Sequence, residues 1–307
     1  MDILDAVGGT SMVRLRKVVP PGCADVFVKL EGENPTGSVK DRMALAVILA
    51  AERDGRLKPG DTVVEYTGGS TGASLAMVCA AKGYRLKIVS SDAFSQEKLD
   101  QMAALGAELT IVPSEGGGTT RKLILDMIET ARRLSEEPNT YWVGQLRNPD
   151  SIAGYYPLAE EIWSQTEGNI DAFVHCVGTA ACSRGVATVL TRYKPAIRIV
   201  AVEPAESAVL QGGPSGAHRI EGVGIGYVPP LYDPGLVTDL VSVSTDAAQE
   251  MARRLAREEA IFAGTSSGAN VVAAIEVGAR LGPGAKIVTL MADSGLKYMN
   301  TAVYRRS

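Results

Sequence analysis

One lysine stands where a lysine can do covalent chemistry. The stretch ENPTGSVKDR, residues 33–42, puts Lys40 behind a Pro-Thr-Gly-Ser turn and at the head of an apolar run. Such a lysine can be a solvated surface charge, a phosphate binder, or a nucleophile. The last needs a neutral amine, which burial or the positive end of a helix favours. Three small-residue loops add to it. TGGSTG, Thr67 to Gly72, offers three hydroxyls and three glycines before a helix-like run. Unpaired amides at a helix start bind anions, and the helix dipole assists. An N-cap with a flexible turn is the plainer use of the same residues. VGTAACSRG, Val177 to Gly185, follows the apolar AFVHC and has Arg184 close by. It can hold a phosphate or carboxylate, or simply let a helix pack closely on a strand. SEGGGTT, Ser114 to Thr120, reads as an ordinary loop before a helix. None of the three is a G-x-x-x-x-G-K-[ST] loop. None gives G-x-G-x-x-G after the first strand. A nucleotide P-loop and a dinucleotide enzyme are both disfavoured.

Other chemistries have few residues to use. The cysteines are Cys23, Cys79, Cys176 and Cys182, with no C-x-x-C pair, so reduced thiols are expected. The histidines are His175 and His218 alone, which argues against a multi-histidine metal site or histidine catalysis. His175, Cys176 and Cys182 read as core rather than as metal ligands, and no metal is expected. The formal charge is −4, with 46% apolar and 21% charged residues, which argues against a nucleic-acid binder. No window reaches the roughly 18 apolar residues of a membrane span. The opening MDILDAVGGTSMVRL has an early Asp and no long apolar core, so no signal peptide is expected. Cytoplasm is the expected location.

The elements that must hold Lys40 and the loops alternate along the chain. DVFVKLE reads as a strand, and KDRMALAVILAAERDG as a helix with a glycine stop. TVVEY, RLKIVSS and AELTIV follow as strands, each succeeded by a helical run. The second half repeats the grammar. NPDSIAGYYPLAEEIWSQT reads as one helix after a proline turn. DAFVHCVG, IRIVAVEP and AKIVTLMA read as strands, with helices between them. Strict alternation predicts parallel sheets covered on both faces. Two sets predict two α/β domains, residues 1–147 and 148–307. Ligands in such folds lie beyond the carboxyl ends of strands.

Taken together and in order, these segments resemble the cysteine synthase and cystathionine β-synthase family, the fold type II pyridoxal-phosphate enzymes. NPTGSVKDR resembles the family's cofactor-lysine segment. TGGSTG stands where the family has Thr-Ser-Gly-Asn-Thr-Gly, and GTAAC where it has Gly-Thr-Gly-Gly-Thr. GQLRNP resembles its Gln-(aromatic)-x-Asn-Pro segment. GVGIGYVPP, GTSSGAN and ADSGLKYM resemble three more. The matches run from about residue 8 to residue 300. The resemblance implies two doubly wound three-layer αβα domains, tryptophan synthase β-subunit-like, with the cofactor site in the cleft between them. It implies that residues 1–35 cross partly to the other domain. Lys40 would carry pyridoxal 5'-phosphate as a Schiff base and then act as the base at the α-carbon. Gly178, Thr179, Ala180, Ala181 and Cys182 would hold the phosphate. Ser294 would meet the pyridine nitrogen, and Ser70 would stand beside the cofactor. Thr67, Gly68, Gly69, Ser70 and Thr71, with Gln145, would receive the substrate carboxylate. Asp293, next to Ser294, should point away by strand alternation and be structural.

The implied activity is β-replacement on a serine-type amino acid such as O-acetylserine, through an aminoacrylate, giving L-cysteine from sulfide. β-Elimination, as a desulfhydrase or dehydratase, uses the same residues. So does replacement by another nucleophile, while a non-catalytic homologue would not need Lys40. A homodimer and a serine acetyltransferase tail are the implied partners. The sequence departs from the family pattern at the loops. Gly68 replaces a serine, Ser70 an asparagine, Ala180 and Ala181 glycines, and Cys182 a threonine. Two expectations follow. Gly68 should make room for a bulkier or differently charged substrate. Ala180 and Ala181 should keep negative φ. Arg147 and Arg184 could instead receive an anionic substrate, or be ordinary surface arginines.

Overall fold

The structure, a computed structural model, describes residues 1–115 and 120–305. Part of the Ser114–Thr120 loop, residues 116–119, lies outside the described residues. The elements run in order: β1 (Met12–Arg14), β2 (Asp25–Leu30), α1 (Lys40–Arg53), β3 (Thr62–Tyr66), α2 (Ser70–Lys82), β4 (Arg85–Ser91), α3 (Gln96–Ala104), β5 (Glu108–Val112), α4 (Arg121–Ser135), β6 (Thr140–Trp142), α5 (Asp150–Ala153), α6 (Tyr156–Gln165), β7 (Ala172–Cys176), α7 (Ala181–Tyr193), β8 (Arg198–Pro204), β9 (Asp239–Val243), α8 (Thr245–Glu258), α9 (Thr265–Leu281) and β10 (Lys286–Met291).

The strands form two sheets. One has the order β1-β2-β10-β7-β8-β9 and the other β5-β4-β3-β6. Every pairing is parallel except β1 with β2, which is antiparallel. Strict alternation thus holds for the body of each sheet and fails at one edge. The strands β3 and β7 are buried at every residue, as covered parallel strands must be. In the larger sheet α9 packs on β10 and β7, and α7 also lies against β7. In the smaller sheet α4 and α2 each pack on β3 and β4.

Two local features depart from the expected pattern. The run NPDSIAGYYPLAEEIWSQT is two helices, α5 and α6. Pro157 has no N–H to continue a ladder from α5, and it sits in the first turn of α6 instead. Gly154 between them lies against α1, where a Cβ would be 2.8 Å from Ala46 Cβ and 3.0 Å from Arg42 O. The second feature is a buried ion network. Arg42 reaches Glu31 at 2.6 and 2.8 Å and Glu161 at 2.7 and 2.8 Å, while Lys29 pairs with Glu161 at 2.6 Å. It ties the first turn of α1 to the end of β2 and to α6, which fixes where Lys40 begins its helix.

Register brings the ends together. Met291 of β10 lies opposite Leu30 of β2, so both strands finish side by side. The turn after β2 and the segment after β10 therefore meet. Val39 N donates to Ala292 O at 2.8 Å, and Ser294 N donates to Gly37 O at 2.9 Å.

Candidate active site

The first helical residue of α1 is Lys40. The turn before it is closed by its neighbour Asp41. This fully buried carboxylate accepts from the Thr36 amide at 2.8 Å, and from the hydroxyls of Thr36 and Ser74. Ser74 belongs to α2, so one carboxylate locks the lysine turn to the helix behind the first glycine loop. Lys40 itself is half-buried. Its charge acts on two groups of the larger sheet's half, His175 on β7 and Cys182 on α7. Burial first, and then the Lys40 cation, push His175 down to about 3, so the imidazole is neutral. Its Nδ1 is buried and has no partner among the described residues. Burial pushes the Cys182 thiol up to about 12, so it too is neutral.

The loop Thr67 to Thr71 starts α2. Thr67 Oγ1 accepts from the Gly69 amide at 3.1 Å. Thr71 Oγ1 donates to Gln145 Oε1 at 2.8 Å, and Gln145 Nε2 donates to Tyr66 O at 3.0 Å. The Gln145 amide donates to Glu65 Oε2 at 3.0 Å. Gln145 is thus engaged in holding the loop as well as standing beside it. The amides of Ser70 and Thr71 donate to no described residue, and they sit at the positive end of a 13-residue helix.

Gly68 does not leave an open space. A Cβ there would lie 2.6 Å from Phe94 Cζ and 2.7 Å from Cδ1, with Cε1 nearer still. The expectation of extra room is corrected: the Phe94 ring occupies it.

The loop from Gly178 leads into α7. The amides of Gly178 to Cys182 make no hydrogen bond with the described residues, and neither does the Thr179 hydroxyl. Any Cβ on Gly178 would collide with the Gly222 carbonyl. Ala180 has φ +69°, in the left-handed region. Negative φ was expected of it, and that expectation is corrected. The loop keeps the backbone a glycine would take, because the Ala180 carbonyl must receive the Arg184 amide at 2.9 Å and the Ser183 hydroxyl at 3.1 Å. Arg184 points elsewhere, to Leu231 O at 3.3 Å and Asp233 at 3.5 Å. Arg147 is exposed. Among the described residues no histidine, cysteine and carboxylate group has metal-binding geometry.

Ser294 stands beside Gly37, and its hydroxyl accepts from the Leu296 amide at 3.3 Å. Asp293 does not turn away from the site's elements. Its Oδ2 accepts from Tyr298 Oη at 2.7 Å and from Ser70 Oγ at 3.3 Å, while Oδ1 is buried without a partner among the described residues. It bridges the first glycine loop to the segment after β10.

The pyridoxal-phosphate dependent enzyme family matches residues 3–293. Cysteine synthase of Staphylococcus aureus (strain Mu50 / ATCC 700699) is 43% identical over 305 residues, 99% of this chain and 96% of that protein. The chain belongs to the cysteine synthase family of pyridoxal-phosphate enzymes. It is therefore an enzyme with pyridoxal phosphate as cofactor. Among solved structures, a cysteine synthase from Entamoeba histolytica is 35% identical with a TM-score of 0.91, covering 100% of this chain and 91% of that one. An O-ureido-L-serine synthase is 38% identical with a TM-score of 0.90, covering 98% of this chain and 94% of that one. The fold is the two-sheet fold of these enzymes.

The residues fit the cofactor of this family. Unpaired amides at the start of α7 suit a phosphate, and the charge of Lys40 is felt by the buried His175 on β7. His175 was read as core, and it is buried on β7 as that reading expects. Sequence reasoning passed over one buried hydroxyl. Ser266, in the first turn of α9, is buried, and its hydroxyl makes no hydrogen bond with the described residues. It is less engaged than Ser294. The GTSSGAN segment was the available signal for it.

Proposed function

We propose that this enzyme carries out β-replacement on a serine-type amino acid, O-acetylserine-like, with sulfide as the nucleophile and L-cysteine as the product. One observation carries the reading: Lys40 stands with two helix N-termini of unpaired amides, those of α2 and α7, in one fold. One suits an amino-acid carboxylate and the other a phosphate. Pyridoxal phosphate, when bound, supplies the electron sink for charge at the α-carbon. Lys40 would hold it and, as a free amine, would take the α-proton on Nζ. Thr67, Gly68, Gly69, Ser70, Thr71 and Gln145 seat the carboxylate. Gly178, Thr179, Ala180, Ala181 and Cys182 hold the phosphate. The ring nitrogen falls to a serine, Ser294 by the family resemblance, with Ser266 as the residue whose hydroxyl is less engaged. Ser70, tied to Asp293, would stand beside the cofactor.

The lower-level assignments belong to the same reading. The chain divides at residue 147 into two domains around the cleft, acts in the cytoplasm as a homodimer, and can receive a serine acetyltransferase tail. The S. aureus cysteine synthase supports sulfide as nucleophile. The O-ureido-L-serine synthase, of similar identity and TM-score, supports a second reading in which another small nucleophile adds.

The test is direct. The purified protein should be yellow, and O-acetyl-L-serine with sulfide should give cysteine. Lys40→Ala should lose the colour of lysine-bound cofactor and at least a thousandfold of the rate, on the order expected for a covalent and acid–base residue. Cysteine formation unchanged in Lys40→Ala would sink the assignment. Turnover only with a different nucleophile would select the second reading.

A further inference from the structure

We infer that Phe94 determines substrate specificity by standing in for the side chain missing at position 68. This rests on the reading of Thr67 to Thr71 as the substrate-carboxylate loop. The ring comes from the segment between β4 and α3, and it is the nearest group to the place where a Cβ on Gly68 would be. The neighbouring glycine repeats the pattern. A Cβ on Gly69 would lie 2.6 Å from Lys98 Cδ and 3.2 Å from Cε. Phe94 and the Lys98 stem therefore roof the two glycines together.

The roof is fastened. Lys98 is 4% exposed, its Nζ pairs with Glu221, and it lies 4.3 Å from the centre of the Tyr298 ring. Ser95 Oγ donates to Lys297 O at 3.2 Å. The ring of Phe94 also packs on the cluster around Val64, Tyr66 and Val89. Phe94, half-buried, is held on its inner side by this cluster and is flanked in sequence by the fastened Ser95 and Lys98.

The chemistry follows from the exchange. A serine at 68 would offer a hydroxyl to the carboxylate. Here an apolar ring lies in that position, and the carboxylate is left to the amides of Ser70 and Thr71 and the hydroxyl of Thr67, since the Thr71 hydroxyl proton goes to Gln145 Oε1. Amide–carboxylate attraction is stronger where water is kept away, and the ring keeps it away. Position 68 and position 94 are one unit: a small residue with a ring, or a side chain with no ring.

A four-protein cycle tests this: wild type, Phe94→Ala, Gly68→Ser, and the double variant. The probe is L-serine, and its dissociation constant is read from the spectral change of the holoenzyme. Thermal midpoints and cofactor content are recorded for each protein. Phe94→Ala should weaken L-serine about tenfold, and Gly68→Ser about thirtyfold or more through collision with the ring, factors ordinary for contacting residues. The double variant should bind within about threefold of wild type, so the two changes are strongly non-additive. KM for O-acetyl-L-serine should follow the same order, with kcat moving less. A double variant no better than Gly68→Ser overturns the inference. So does a Phe94→Ala protein that loses thermal stability yet binds L-serine as wild type does, which is the result for a merely structural ring. If Gly68→Ser fails to fold, Phe94→Leu against Phe94→Ala decides: leucine should recover most of the affinity. If even wild type ignores L-serine and O-acetyl-L-serine, the loop's proposed role fails, and the pairing of 68 with 94 is then rejected as a specificity device with it.

Discussion

Ala180 holds a left-handed backbone that glycine would adopt without strain. For an alanine this costs about 1 kcal/mol, because Cβ crowds the following carbonyl. The loop accepts the cost, since the residue is buried and its carbonyl caps the start of α7. Ala180→Gly should therefore stabilise the protein only slightly, by about 0–0.5 kcal/mol, once the extra entropy of glycine in the unfolded chain is set against the strain relieved. Urea unfolding of both proteins checks it, and a less stable variant would mean the methyl packs for more than the strain it causes. Sequence reading named this residue as part of the phosphate loop but misjudged its conformation. A residue's φ is set by partners such as the Ser183 hydroxyl and the Arg184 amide, and nothing in the letters GTAAC shows that the loop would keep them. Gly68 teaches the same lesson. Its missing side chain was visible in the sequence, and the ring that fills the space, 26 residues later, was not.

At the scale of elements, the long runs were legible and the short ones were not. TVVEY and AFVHC stand out because a strand covered on both faces must be apolar throughout. The three-residue β1 and β6 are too short to show any alternation, and β9 lies after a glycine-rich stretch that hides its start. The contacts of α3 were also beyond the sequence. Its Gln101 receives Lys297 Nζ at 2.8 Å, and Glu97 accepts the Asn300 amide at 2.9 Å, so the helix is tied to the turn after β10 by side chains far apart in the chain. Lys98 is the most buried of these links. Lys98→Met keeps the stem against Gly69 and Tyr298 but removes the pair with Glu221. The amides of α3 should then exchange with solvent about tenfold faster, on the order of a lost half-buried ion pair, while those of β7 stay protected. Equal exchange in both proteins would show that the pair does not hold α3 in place.

For the molecule as a whole, the two-sheet plan was readable because alternation of strands and helices allows few other arrangements. The candidate loops after β3 and β7 lie at the carboxyl ends of strands, where the same rule puts ligands. What the plan did not reveal is how much ionisable chemistry it buries. His175 lies inside the larger sheet and Glu65 inside the smaller, and they respond to acid with opposite signs. Burial and then the Lys40 charge lower His175 from an ordinary value of 6.5 to about 3. Between those values the unfolded chain binds a proton that the folded chain refuses. Stability due to this group is thus full above pH 6.5 and falls as pH drops toward 3, by about 2 kcal/mol at pH 5. Burial raises Glu65 from 4.5 to about 7, against the amides of Gln145 and Tyr66, which lower it. The folded chain there keeps a proton that the unfolded chain releases, so its contribution is full below pH 4.5 and is lost as pH rises through 7. The two slopes oppose each other between pH 4.5 and 6.5. His175→Gln keeps a polar side chain but cannot titrate. Relative to wild type, it should gain about 2 kcal/mol in unfolding free energy on going from pH 7.5 to pH 5, read from urea midpoints at both pH values. An identical pH dependence in the two proteins would mean that His175 finds a partner for its proton at low pH.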